Sequence, residues 1–327
     1  MSGKPAGRDP DLTMTAVGGP RVLAAETLVA GRYRVRGLIG VGAMGLVYRA
    51  HDERLRLDVA LKVLRSGPVQ DAHLLERFER ELVLARQVSH PRVVRIHDIG
   101  QDGDLHFLTM DLVDGRTLKQ VLDERGRLRV DEVVTIARDL ASALGAAHAQ
   151  SVVHRDLKPA NVMIDDEGHA HITDFGVARS MRSAGLTETG GIVGTLEYLA
   201  PEQARGDEVD GRTDIYALGL MMFEMVTGQR AFRDGTAEEI LAARSAGRPQ
   251  RIAGTNVPVP GWLERVIERC LAGDPLARYP DAAALAADLA AGRASRLWPP
   301  RVSAKSAAIA AAGVVAVAAA WWVLQEG

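Results

Sequence analysis

From Tyr33 to about Val113 apolar and polar positions alternate in short runs. YRVRGLIG, GLVYRAH and LDVALKVL each carry the period of two expected of a half-buried strand, with turn residues between them. In the third run Leu57, Val59, Leu61 and Val63 fall on one face, and Ala60 and Lys62 on the other. HFLTMDLV predicts another strand, closed by the Asp114-Gly115 break. One segment changes period: in DAHLLERFERELVLARQV, Leu74, Leu75, Phe78, Leu82 and Ala85 recur at helical spacing.

Beyond Val113 the pattern turns helical. DEVVTIARDLASALGAAHAQ sets Val133, Val134, Ile136, Ala137, Leu140, Leu144 and Ala147 on one broad apolar face. GRTDIYALGLMMFEMVTG, GWLERVIERCLAG and DAAALAADLAAG predict further helices, and NVMID and AHITD predict two short strands around a hairpin at Glu167-Gly168. The fold class is therefore α+β, with a β-rich lobe at 32–113, a helical lobe at 114–292 and no internal repeat.

The ends read differently. Residues 1–31 have no apolar signal-peptide core, are rich in Gly, Pro, Thr and Asp, and are expected to form a flexible tail. Residues 293–306 read as a basic linker, followed by the uncharged run AAIAAAGVVAVAAAWWVL at 307–324. Its 18 residues would span roughly 27 Å as a helix, enough for a bilayer core. Trp321 and Trp322 sit at one end, and Arg293, Arg296, Arg301 and Lys305 precede it, which predicts a single-pass transmembrane helix. The preceding chain would be cytoplasmic, with 325–327 as a short external tail. The alternative is an alanine-rich helix packed on the domain.

Composition narrows the classes. A net charge of −2 argues against a nucleic-acid binder that relies on basic charge. The single cysteine, Cys270, has no internal disulfide partner and sits in the apolar context VIERCLA, as a buried structural thiol would.

Three constellations carry candidate chemistry. Gly40-Val41-Gly42-Ala43-Met44-Gly45 spells GxGxxG, and a strand (LVYRA) rather than a helix follows it. That excludes a dinucleotide-binding turn and fits a hairpin folded over phosphates, where glycine lets backbone N–H groups approach an anion. Lys62 stands mid-strand among apolar neighbours, so it needs a partner or a phosphate unless its strand lies at a sheet edge. Glu76, Glu79 and Glu81 are its candidate partners on the helix. HRDLKPAN (154–161) crowds Arg155, Asp156, Lys158 and Asn161 together, and Asp174 of DFG follows Asn161 across the predicted hairpin. An amide oxygen and a carboxylate so placed suit a hard cation such as Mg2+.

GVGAMG, VALK, HRDLKPAN, DFG and APE (Ala200-Pro201-Glu202), in that order, resemble the signature set of the eukaryotic-like protein kinases, of the bacterial membrane-bound serine/threonine type, over about residues 32–290. The resemblance implies a two-lobed protein kinase fold and an ATP- and Mg2+-dependent transfer (Mn2+ being the alternative ion) of a phosphoryl group to protein Ser/Thr hydroxyls. It makes Asp156 the catalytic base and Lys158 a γ-phosphate contact that favours Ser/Thr acceptors. Asn161 and Asp174 become the metal ligands, and Lys62 the α/β-phosphate contact paired with Glu81. Ile39 and residues 40–45 (with Ala43, Met44 and Gly45) would cover the phosphates. Val47, Ala60 and Met163 would enclose adenine, with Met110 as gatekeeper and Asp111 and Val113 as hinge. His154 and Phe175 would pack beside the site. Thr195 would contact the base, Thr187 and Thr189 would be phosphorylated in the activation loop with Arg155 as their partner, Glu202 would pair with Arg278, and Asp214 would support the catalytic loop. GTLEYLAPE resembles a platform for protein substrates. Thr13, Thr15 and Thr27 are further expected autophosphorylation sites, and a homodimer would serve phosphorylation in trans. Ala85, where a larger apolar residue is common, would loosen the Glu81 helix. A catalytically silent scaffold is the competing class; Lys62, Asp156, Asn161 and Asp174 are all present, which disfavours it.

Overall fold

The computed structural model describes residues 22–42, 45–64, 80, 82–175, 197–232, 236–255 and 257–295. The first lobe is a six-stranded antiparallel sheet in the order β1-β2-β3-β4-β6-β5. Its strands are β1 (Leu28–Val29), β2 (Tyr33–Gly42), β3 (Gly45–Asp52), β4 (Leu57–Leu64), β5 (Ile96–Asp102) and β6 (Leu105–Asp111). β4 is central, paired to β3 on one side and β6 on the other. Val59, Leu61 and Val63 join Tyr33, Val35, Tyr48 and Phe107 in the outer core, while Ala60 faces Leu82, Val94, Leu108 and Met110 on the cleft side. The two-faced reading of LDVALKVL therefore holds.

Residues 22–31 were expected in the tail, yet they lie on this sheet. Leu23 and Val29 are buried, the Leu23 N–H donates to the Tyr48 hydroxyl (2.9 Å), and β1 pairs with β2. β5 was not anticipated, because IHDIGQD is mostly polar and its residues are only half-buried. Of the predicted 71–88 helix, the described part is helical at residues 80 and 82–85. Ala85 there is buried in the main core.

The second lobe begins with β7 (Gly115–Thr117), which pairs with β8 (Val162–Asp165), itself paired with β9 (Ala170–Ile172). Helix α1 (Leu118–Arg125) starts on a Thr117–Gln120 capping box and stops at Gly126, φ 72°. α2 (Val130–Ala149) buries the predicted stripe, apart from half-buried Val134. α3 (Pro201–Arg205) is short. α4 (Gly211–Thr227) is buried along nearly its whole length, from an Asp210 cap to a left-handed Gly228. α5 (Ala237–Ser245), α6 (Gly261–Cys270) and α7 (Ala282–Ala291) surround it, with α2 and α6 packed on α4. A side chain at Gly219 of α4 would meet the Cys270 Cβ at 2.6 Å, so this glycine sets how closely α6 approaches. Cys270 is buried as expected, which pushes its thiol pKa well up. Among the described residues no helix is long and apolar enough to cross a membrane. The 307–324 run lies outside them.

Candidate active site

The lobes meet at a strand junction. The Val94 N–H donates to the Ile172 carbonyl (2.9 Å), and the Ile172 N–H to the Arg92 carbonyl (2.9 Å). Between the lobes lies a cleft of about 640 Å³, roofed by residues 39–42, Gly45 and Val47, backed by Ala60, Lys62 and Met110, and floored by Asp156, Lys158, Asn161, Met163 and Asp174. Ile39 and Val41 are exposed at the roof (52% and 69%), although both are apolar. Asp111 and Val113 line the connection between the lobes.

Gly45 fixes the roof. A Cβ there would stand 1.9 Å from the Val63 carbonyl oxygen, so any side chain forces β3 away from β4. Gly45→Ala is expected to cost about 1–3 kcal/mol by overpacking and to weaken nucleotide binding, because Lys62 sits in the same ladder opposite Val47. Thermal unfolding and a nucleotide titration measure the two effects.

Lys62 is 5% exposed on a central strand, which removes the edge-strand alternative. Its ammonium donates to Asp174 Oδ1 at 2.5 Å. Burial works against the Asp174 charge, but Lys62, with help from His154 and Lys158, outweighs it and holds the carboxyl below its ordinary range. Asp174 is therefore ionised at neutral pH, as a cation ligand must be.

The floor is built by one carboxylate. α2 ends at Ala149, and the chain turns back through Ser151, φ 59°. The His154 and Arg155 N–H groups both donate to Asp214 in the first turn of α4, at 2.8 and 2.9 Å, and Arg155 takes φ 66° to make this geometry. Burial opposes the Asp214 charge, but His148 Nε2 at 2.8 Å, His154 and the Arg155 N–H hold the carboxyl below its ordinary range. The next residue, Asp156, thereby faces the cleft. Lys158 Nζ lies 2.7 Å from Asp156 Oδ2, and Asn161 Nδ2 donates to the Asp156 carbonyl at 2.8 Å. The Thr173 N–H donates to the Asn161 carbonyl (2.9 Å), which brings Asn161 beside Asp174. His154 Nε2 meets the Thr173 carbonyl at 2.9 Å, and its ring packs edge-on against Phe175 with centroids 4.8 Å apart. These partners fix the backbone at Asp174, whose φ is 60°.

The site therefore brings together Lys62, Asp156, Lys158, Asn161 and Asp174 with Ile39, Gly40, Val41, Gly42, Gly45, Val47, Ala60, Met110, Asp111, Val113 and Met163. Ala43, Met44, Glu81, Thr187, Thr189 and Thr195 lie outside the described residues. Sequence reasoning missed Val94, Leu112, Thr173, Arg116, Thr117, Lys119, Gln120 and Asp123, all of which line the cleft. No motif or period marked them; the β7 pairing and the strand junction put them there. It also missed His148, in the last turn of α2, and Gln203, whose side-chain amide donates to the Arg155 carbonyl at 2.8 Å.

A glycine-edged sheet roof, a buried lysine and an oxygen-rich floor enclose one cleft between two lobes. The chain belongs to the protein kinase domain family, which it matches over residues 33–288. It is 37% identical over 261 residues to serine/threonine-protein kinase PrkC of Bacillus subtilis, covering 80% of this chain and 40% of that protein. It is also 37% identical over 273 residues to serine/threonine-protein kinase PknL of Mycobacterium tuberculosis, covering 84% of this chain and 68% of that one. Among solved structures, the crystal structure of the Mycobacterium tuberculosis PknI kinase domain is 30% identical, with a TM-score of 0.66, covering 83% of this chain and 99% of that domain. The chain spans 38% to 42% of the length of the curated relatives from Bacillus, Clostridium and Lactococcus that it matches.

Proposed function

We propose that the protein is an ATP-dependent serine/threonine protein kinase of bacterial signalling that phosphorylates its own activation loop. The observation that carries this is the convergence of Lys62, Asp156, Lys158, Asn161 and Asp174 on one cleft floor in a chain of the protein kinase family. The donor set fits Mg2+. Asp174 is ionised, and Asn161 spends its amide N–H on Asp156, leaving its side-chain oxygen as the cation acceptor. The bound ion would neutralise phosphate charge. Lys62 would move from Asp174 to the α- and β-phosphates and pair with Glu81. Asp156 would accept the proton of the acceptor hydroxyl while Lys158 holds the γ-phosphate, so that catalysis is mainly positioning and charge compensation. The Asp111 N–H is committed to the Arg95 carbonyl (3.0 Å), so Asp111 would offer adenine its carbonyl and Val113 its peptide group.

Incubation of the full chain with Mg2+ and labelled ATP is expected to place label on Thr187 or Thr189, read by phosphosite mapping. Nucleotide binding with no label on any Ser or Thr would make the protein a scaffold instead. Thr195 would contact the base and favour Ser/Thr acceptors, and phosphorylation in trans would use a transient homodimer. The 307–324 run supports single-pass anchoring at the inner membrane with the kinase domain cytoplasmic. In a bacterial host the full chain should stay in the membrane pellet through alkaline carbonate washing, whereas release into the supernatant would favour the packed-helix alternative.

A further inference from the structure

The segment from Glu197 to Ala200, which leads from the activation loop into α3, is gripped by two arginines. Arg244 of α5 donates to the Leu199 carbonyl (2.9 Å) and the Glu197 carbonyl (2.6 Å). Arg230, just past the end of α4, contacts side chains instead. Its guanidinium lies 2.9 Å from Glu197 Oε2 and 3.3 Å from Glu224 Oε2, donates to the Tyr198 hydroxyl, and sits 5.1 Å from the Tyr198 ring centre. Tyr198 in turn donates to Glu224. Two carboxylates, a phenol and an aromatic face thus form a receptor for a guanidinium, and this chain supplies the guanidinium itself.

The receptor adjoins the substrate side of the cleft. Lys119, at the cleft mouth, is close enough to act on the Glu224 charge, and Gln203 ties the start of α3 to the backbone beside Asp156. Arg230 is 41% exposed and Glu197 38%, while Glu224 is 15% exposed, so the arginine caps the opening. Burial pushes the Glu224 carboxyl above its ordinary range against the opposing pull of Tyr198 and Arg230, which marks a carboxylate with something to gain from a cation.

We propose that Arg230 is a specificity-determining residue: it occupies an acidic subsite on the acceptor platform and so denies it to basic side chains of protein substrates. Removing it exposes Glu224 and Glu197 to a competing arginine or lysine, and the chain then selects basic acceptor segments. Discrimination here works by filling a site rather than by building a clash. The inference rests on the kinase reading.

The test uses the full chain and a set of acceptor peptides identical except for Arg, Gln or Asp at each position flanking the acceptor. With wild type, an Arg peptide should have no advantage in kcat/KM over the Gln peptide. In Arg230→Gln that ratio should rise about tenfold at one position, mainly through KM, as a new charge-assisted contact gives. Arg230→Lys, which keeps the cation, should retain the wild-type ratio. A parallel measurement in an Asp156→Asn background follows binding of the labelled Arg peptide by fluorescence anisotropy, and Arg230→Gln should tighten it. Unchanged ratios and unchanged binding in a folded, active Arg230→Gln protein would overturn the proposal. Tighter peptide binding alongside no transfer to any peptide by wild type would instead overturn the kinase reading and leave the subsite standing.

Discussion

Asp156→Asn should leave the chain folded and able to bind ATP, yet lower phosphoryl transfer by about 10²–10⁴-fold, the usual contribution of a general base. The substitution preserves shape and the backbone carbonyl that receives Asn161 Nδ2 at 2.8 Å. It removes the one property that matters, the capacity to take a proton. It also ends the ionic contact with Lys158 at 2.7 Å, so some loss of γ-phosphate positioning is included in the effect. Phosphosite mapping and initial rates with labelled ATP measure the loss, and a nucleotide titration and thermal unfolding verify that the site and fold survive. Transfer at the wild-type rate would remove Asp156 from the role of base.

Arg278→Ala should be the most destabilising single change among the described residues, by about 3–5 kcal/mol, because it strands a buried charge. Arg278 is 1% exposed and meets Glu202 through two nitrogens, at 2.7 and 2.8 Å. It also donates to the Ala272 carbonyl (2.9 Å) and the Arg212 carbonyl (3.0 Å) and lies over Tyr216. One side chain thereby joins α3, α4 and the turn after α6. Adding Glu202→Gln to Arg278→Ala should recover part of the loss, since the stranded charge disappears; chemical denaturation of the four proteins of that cycle measures it.

Acid dependence tests the same pair. Burial opposes the Glu202 charge, but Arg278 outweighs it and holds the carboxyl below its ordinary value of 4.5. A depressed folded-state pKa gives stability that is complete above the unfolded value and is lost as pH falls through the folded one. Wild type should therefore lose stability on acidification below about pH 4.5, and Arg278→Ala should lose this component of the slope. An identical slope in both proteins would assign the acid sensitivity to other carboxylates.

The strands YRVRGLIG, GLVYRAH and LDVALKVL and the long helices were legible because each buries one face, and burial of one face leaves a period in the sequence. Helix α4 was legible for the opposite reason, being apolar nearly all round. β5 was not legible: a half-buried edge strand imposes no alternation, so IHDIGQD reads as a loop. β1 has only two residues, too few for any period. Short α1, α3 and α5 depend on caps and on what they pack against more than on an apolar stripe.

The candidate site divides in the same way. Asp156, Lys158, Asn161 and Asp174 are close in the chain and their chemistry is unusual, so local sequence revealed them. Lys62 was ambiguous until the sheet order placed β6 against β4 and made its strand central, since no local pattern tells an edge strand from an inner one. The sequence by itself determined the α+β class, the order of the lobes and the polar constellation of Asp156, Lys158, Asn161 and Asp174, because these are written in periods and in short runs of polar residues. The family resemblance, not any local pattern, led to the expectation that Asp214 supports the turn before Asp156 and that Arg278 closes on Glu202, and the structure bears out both; only the tertiary structure decided that Arg230 fills an acidic pocket. Those contacts join residues 6 to 76 positions apart, and separations of that kind leave no periodic trace in the chain.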